Sequence, residues 1–158
     1  MAGPDSLVVP RRWDARVFAA APRSAVFAYL SDPVNRPEWQ ASLKRVEVLD
    51  PGPPHVGQRW VDHVKVGPRF DLQTTGLDED RLWAETGTSG PFTAFGTLLF
   101  EDAEKDGRTG TEVTCIARVR GRGAAVPLAW PATALGALLV RNDLGRAARL
   151  LTERHASG

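Results

Sequence analysis

Along Gln58 to Val66 the alternation of a strand places Trp60, Asp62 and Val64 on one face and Val61, His63 and Lys65 on the other. Asp62 and His63 are the candidate catalytic residues. A carboxylate turned into an apolar interior has its pKa raised by desolvation, which suits it to trade protons near neutral pH. An imidazole in the same place is a natural proton carrier. Register decides between them, because a slip of one residue exchanges the two faces. The competing structural role is a residue solvated at a cavity rim, or paired with an arginine such as Arg69 or Arg118.

Other chemistry is poorly supported. His55, His63 and His155 stand apart, without the spacing of a metal site. Gly121-Arg122-Gly123 lacks the Lys-Ser/Thr and the strand-turn-helix setting of a phosphate loop, so neither a metal nor a nucleotide cofactor is expected. The serines lie in caps, loops or tails with no GxSxG elbow. Cys115, the single cysteine, sits in an alternating strand where a small buried hydrophobe is the simpler role, and it allows no internal disulfide.

The aromatic residues say more. Trp13, Trp39, Trp60, Trp83 and Trp130, with six phenylalanines, supply flat apolar surface of the kind that stacks on planar or polycyclic ligands. Trp39, Trp60, Phe70, Phe92 and Phe95 are the candidate ligand-binding residues. Phe27, Phe100 and Trp83 are expected to fill the core. Asn142, close to the apolar stripe of a long helix, is a candidate anchor for a ligand carbonyl or hydroxyl, against the alternative of an exposed amide. Tyr29, the only tyrosine, has the choice between the cavity and the core. Gly87, Gly90 and Pro91 are expected to let the loop before Phe92 move as part of a lid.

These residues need a scaffold. Residues 1–12 read as a loose leader and 13–155 as one domain. Trp13 to Ala20 suits a first strand, and Pro22 opens a helix at its first turn. Ser31-Asp32-Pro33 stops that helix and starts a second, with Asp32 as cap and Pro33 at the first helical position, running to about Ser42. Strands follow over Leu43–Leu49, Gln58–Val66, Arg69–Gly76, Leu82–Thr86, Phe92–Glu101 and Thr111–Arg120, with a charged turn from Glu104 to Gly110. Strands so close together imply an antiparallel meander. From Pro127 to about His155 the pattern is a long helix. Leu128, Ala132, Leu135, Leu138 and Leu139 form its first apolar stripe, continued by Val140, Leu144, Ala147, Ala148 and Leu151. The fold class is therefore α+β: a curved antiparallel sheet of about seven strands wrapped around a long C-terminal helix, with two short helices after the first strand. A hollow remains where sheet and helix diverge.

Composition narrows the partners. The chain has 158 residues, 42% hydrophobic and 25% charged, with 20 basic against 19 acidic side chains. That balance offers no basic field for nucleic acid and no strong attraction to an anionic membrane. No signal peptide or run of 18 apolar residues is present, so a cytoplasmic protein without stable membrane insertion is expected. A hydrophobic small molecule is the expected partner, and a homodimer is possible.

The segments Ala21-Pro22, Val26 to Leu30, Ser31 to Trp39, Val56 to Trp60, Gly96 with Phe100, and Gly110 to Thr114 resemble, in this order, the SRPBCC superfamily. It includes START-type lipid-binding domains, polyketide cyclase/dehydrase proteins and birch-pollen-allergen-like proteins. The resemblance implies the helix-grip fold, an internal cavity for lipids, sterols or polyketides, and Trp60 pointing inward, hence Asp62 with it. It does not select an activity. Two readings follow: a carrier or binding protein for a hydrophobic, aromatic or polycyclic molecule, or a polyketide cyclase, aromatase or dehydratase using acid–base residues in the same cavity. A partner-binding module with a filled interior is the third. A cavity above about 300 Å³ favours a ligand, and a cavity-wall group with a shifted pKa favours an enzyme.

Overall fold

The computed structural model describes residues 13–158, so the leader expected over 1–12 lies outside the described residues. Strand β1 (Trp13–Ala19) is followed by α1 (Arg23–Ser31), a 3-10 turn (Pro33–Asn35) and the single turn α2 (Arg36–Trp39). Then come β2 (Leu43–Val48), β3 (Arg59–Val64), β4 (Phe70–Asp78), β5 (Leu82–Ser89), β6 (Phe92–Lys105) and β7 (Arg108–Gly121). A second 3-10 turn (Gly123–Leu128) leads into α3 (Ala129–Ala156). The strands form one seven-stranded antiparallel sheet in the order β1-β7-β6-β5-β4-β3-β2. This is the α+β helix-grip architecture, with α3 packed on β1 and β7.

Local signals account for the element starts. Pro22 sits at the N-cap of α1. Asp32 accepts a hydrogen bond from the Val34 amide at 3.0 Å, and Pro33 follows at the first position of the 3-10 turn. The second helix is shorter than expected and ends at Trp39. Register irregularities between Leu43 and Arg45 and between Thr74 and Gly76 bend the sheet.

Two hairpins are tighter than the sequence reading had them. The charged segment after Glu104 stays in the β6–β7 ladder as far as Lys105 opposite Arg108. The turn is Asp106-Gly107 alone, with φ of 52° and 71°, the left-handed pair that matches the twist of a two-residue hairpin. Likewise Gly87 pairs with Ala94 and Ser89 with Phe92, leaving only Gly90-Pro91 as the turn. The expected mobile lid is thus a continuous part of the sheet.

The apolar stripe of α3 requires a correction. Its C-terminal half buries Leu144, Ala147, Ala148 and Leu151 as expected. In the N-terminal half and the turn before it, Leu128, Leu135, Leu138 and Leu139 are 45–60% exposed, and Ala129, Thr133, Gly136 and Val140 face inward instead. At about 100° per residue, the row fixed by Leu144 runs back through Val140, Gly136 and Thr133, while the leucines lie on the far side of the helix. Below the helix the core includes Phe27 edge-on to Phe100, with centroids 5.2 Å apart.

Candidate functional site

A hollow of about 170 Å³ lies between the sheet and α3. Its walls include Trp39 from the end of α2, Phe70 and Leu72 from β4, Trp83 from β5 and Leu98 from β6. Cys115 on β7 and Val140 on α3 complete the apolar lining. Small residues keep it open. An added Cβ at Gly96 would stand 3.4 Å from the Glu85 carboxyl, and Gly136 leaves space beneath α3. Thr133 fixes the helix wall: its hydroxyl donates to the Ala129 carbonyl at 2.8 Å and accepts from the Val119 amide at 3.1 Å.

The polar part of this wall is a buried ionic cluster. Arg36, on α2, donates to Asp62 on β3 at 2.9 Å and to Glu85 on β5 at 2.8 Å. Arg36 and Asp62 side chains are 5% and 6% exposed, and Glu85 is 19% exposed, with its open surface lining the hollow. The guanidinium also lies 5.4 Å from the centre of the Trp60 ring. Burial alone would lower the pKa of Arg36, but the carboxylates of Glu85 and Asp62 hold it above its ordinary value. Burial pushes Glu85 up, Arg36 opposes, and the neighbouring Asp62 charge adds to the rise. Two carboxylates facing one guanidinium leave an excess negative charge in a dry place, and a proton on Glu85 removes it. Among the described residues Asp62 Oδ1 and Arg36 Nε have no hydrogen-bond partner, so the cluster is not fully satisfied there.

The sequence candidates divide sharply. Trp39 and Phe70 line the hollow. Phe95 does not turn its ring into it: Gly96 and Leu98 face inward, so strand alternation puts Phe95 on the outer face of the sheet, with the Arg118 guanidinium 4.7 Å over its ring. Trp60 is fully buried behind this wall, stacked on Trp83 with centroids 6.0 Å apart. Phe92 is half-buried at the start of β6, and Asn142 is exposed on α3; neither lines the hollow. Asp62 turns inward, and its arginine partner is Arg36, neither Arg69 nor Arg118. His63 faces the other side of the sheet and bonds Glu47 at 3.1 Å. Trp83 is buried in the core as expected and also forms part of the wall. Tyr29 packs in the core and donates to Glu38 at 2.9 Å; burial raises its pKa to about 12.

Arg36 and Glu85 are site residues that the sequence analysis did not single out, although for Glu85 a signal is present. Trp83 and Glu85 repeat the spacing of Trp60 and Asp62, a tryptophan followed two residues later by an acid on the same strand face. Cys115 lines the hollow but is no nucleophile near neutral pH: burial, with the Glu85 charge nearby, raises its thiol to about 12.

A family model for "Polyketide cyclase / dehydrase and lipid transport" matches residues 11–155. The chain belongs to this family. The SRPBCC resemblance is thereby borne out, and the family implies binding of a small hydrophobic molecule. Comparison with curated proteins gives no match. Solved structures share the fold. Protein DR_A0006 of Deinococcus radiodurans is 22% identical with a TM-score of 0.62, over 90% of this chain and 98% of that one. MLL2253 of Mesorhizobium loti is 15% identical with a TM-score of 0.67, over 90% and 98%. DynU16, described as a protein in the dynemicin biosynthetic locus, is 17% identical with a TM-score of 0.64; the match covers 92% of this chain and 49% of that one. At such identities these likenesses concern the fold. Among the described residues no helix of this polyketide cyclase/dehydrase-family chain is long and apolar enough to cross a membrane, and no acidic, His or Cys cluster has metal-site geometry.

Proposed function

We propose that the protein binds a compact, neutral molecule of one or two rings in the hollow beneath α3, as a carrier or binding protein. The observation that carries this reading is the combination of aromatic walls at Trp39, Phe70 and Trp83 with one protonatable carboxyl, Glu85, on the lining. The rings stack on the aromatic side chains, and a ligand hydroxyl or carbonyl bonds Glu85. Arg36 is engaged by two carboxylates and has no free charge to offer an acidic ligand. At about 170 Å³ the hollow is neither filled nor as large as the ~300–1,000 Å³ of drug-sized pockets. This favours one or two rings over the sterols and polycycles anticipated from the sequence.

The test is a fluorescence titration that reads quenching of the wall tryptophans by 2-naphthol, cholesterol and palmitate. Saturable quenching by the naphthol alone is expected. No saturable binding of any bicyclic phenol or quinone would remove the proposal.

The cyclase or dehydratase reading keeps one specific support, the raised pKa of Glu85 on the wall. On that reading Glu85 is the group that exchanges a proton with bound substrate, and Arg36 and Asp62 position it.

A further inference from the structure

We propose that the outer face of the first half of α3, with the turn leading into it, docks peripherally on an anionic lipid bilayer. Val126, Leu128, Leu135, Leu138 and Leu139 are 36%, 56%, 60%, 58% and 45% exposed. The other exposed large apolar side chains among the described residues, Val34, Leu49, Val56 and Val66, are scattered along the chain. Val126 and Leu128 lie in the 3-10 turn, and the other three leucines share the side of α3 turned away from the cavity. A contiguous apolar face of this kind marks an interaction site.

Charge selects the occupant. From Val113 to Asn142 the sequence contains no Asp or Glu and four arginines, Arg118, Arg120, Arg122 and Arg141. The near-neutral total hides this segregation. Arg122 immediately precedes the apolar turn, Arg141 follows Leu139 by two residues, and both are exposed. Arg118 and Arg120 lie over the Phe95 ring on the opposite face of the sheet and take no part in this helix face, so the flanking charge is that of Arg122 and Arg141. Leucines flanked by arginines suit the boundary between acyl chains and anionic headgroups, where apolar burial and charge attraction act together. A second copy of the chain on the same face would bring these arginines against their counterparts. The helix is not long and apolar enough to span the bilayer, so it lies on it. Thr133, Gly136 and Val140 of the same segment form one wall of the hollow, which puts the docking face directly behind the ligand site.

The experiment is vesicle flotation of the full chain with pure phosphatidylcholine and with equal phosphatidylcholine and phosphatidylglycerol, at low salt and at high salt. The variants are L135S/L138S and R122E/R141E, each checked for unchanged thermal melting. Binding to the anionic vesicles alone is expected, weakened about ten-fold or more by either variant and several-fold by salt, which screens exposed charge. No flotation with anionic vesicles, flotation that both variants retain, or a concentration-dependent dimer that L135S/L138S abolishes in the absence of flotation overturns the proposal. Naphthol titration of L135S/L138S without vesicles reports the cavity separately, so either claim can fail alone.

Discussion

Glu85 and Asp62 illustrate how two like residues acquire different work from their surroundings. Both bond Arg36, but only Glu85 lines the hollow. Its pKa is higher in the folded protein than in the unfolded chain, so the native state keeps a proton that the unfolded chain has already lost. This contribution to stability is therefore complete below the ordinary glutamate pKa and disappears as pH rises through the raised value. Chemical denaturation across that range should show the wild type losing stability relative to Glu85→Gln as pH climbs; a gap between the two that stays constant with pH would remove the assignment. Arg36→Ala leaves two carboxylates buried against each other and should cost about 3–5 kcal/mol, read from the same denaturation curves. A loss under about 1 kcal/mol would mean that the cluster is more hydrated than its burial indicates. His63→Phe, on the opposite face of the sheet, should leave naphthol affinity unchanged. Asp62 was within reach of the sequence through its spacing from Trp60, whereas Arg36 was not, because nothing local says that one turn of helix will cross to the sheet and sit between two strands.

At the level of elements, the sequence showed the order of strands and helices well, since alternation, prolines and turn residues are local signals. Its failures were questions of facing. In α3 the leucines at 128, 135, 138 and 139 have helical spacing and so read as a core stripe, yet the row continued from Leu144 is the one that meets the sheet. Hydrophobic periodicity fixes the helix, but here two apolar rows compete and tertiary packing chooses. The consequence is measurable. Leu144→Ala should destabilise the protein by about 2–5 kcal/mol, because it opens a void at a fully buried position. Leu135→Ala should change stability by no more than about 0.5 kcal/mol. Equal effects in thermal melts would show that the outer face is covered in solution.

For the whole molecule, the balance between a filled core and a retained hollow is the functional question. The C-terminal half of α3 closes the core with Leu144, Ala147, Ala148 and Leu151, while the N-terminal half offers Thr133, Gly136 and Val140 and leaves space. A ligand that occupies this space stabilises the native state by mass action, about 2.7 kcal/mol at a hundredfold excess over Kd. For a chain of this size that corresponds to a rise in Tm of roughly 5–10 °C, which thermal scans with naphthol-sized compounds should show and scans with cholesterol should not. The order of strands has another result, felt before any ligand is met. Among the described residues β1 has one neighbour, β7, with Trp13 opposite Ala117 and Ala19 opposite Thr111. During synthesis the first strand therefore emerges from the ribosome long before its mate exists and must wait, unpaired, while the hairpins from β2 onward assemble. Loop closure over that span sets a slow final step of folding, and a nascent chain arrested before residue 108 would carry β1 as an undocked tail open to proteolysis.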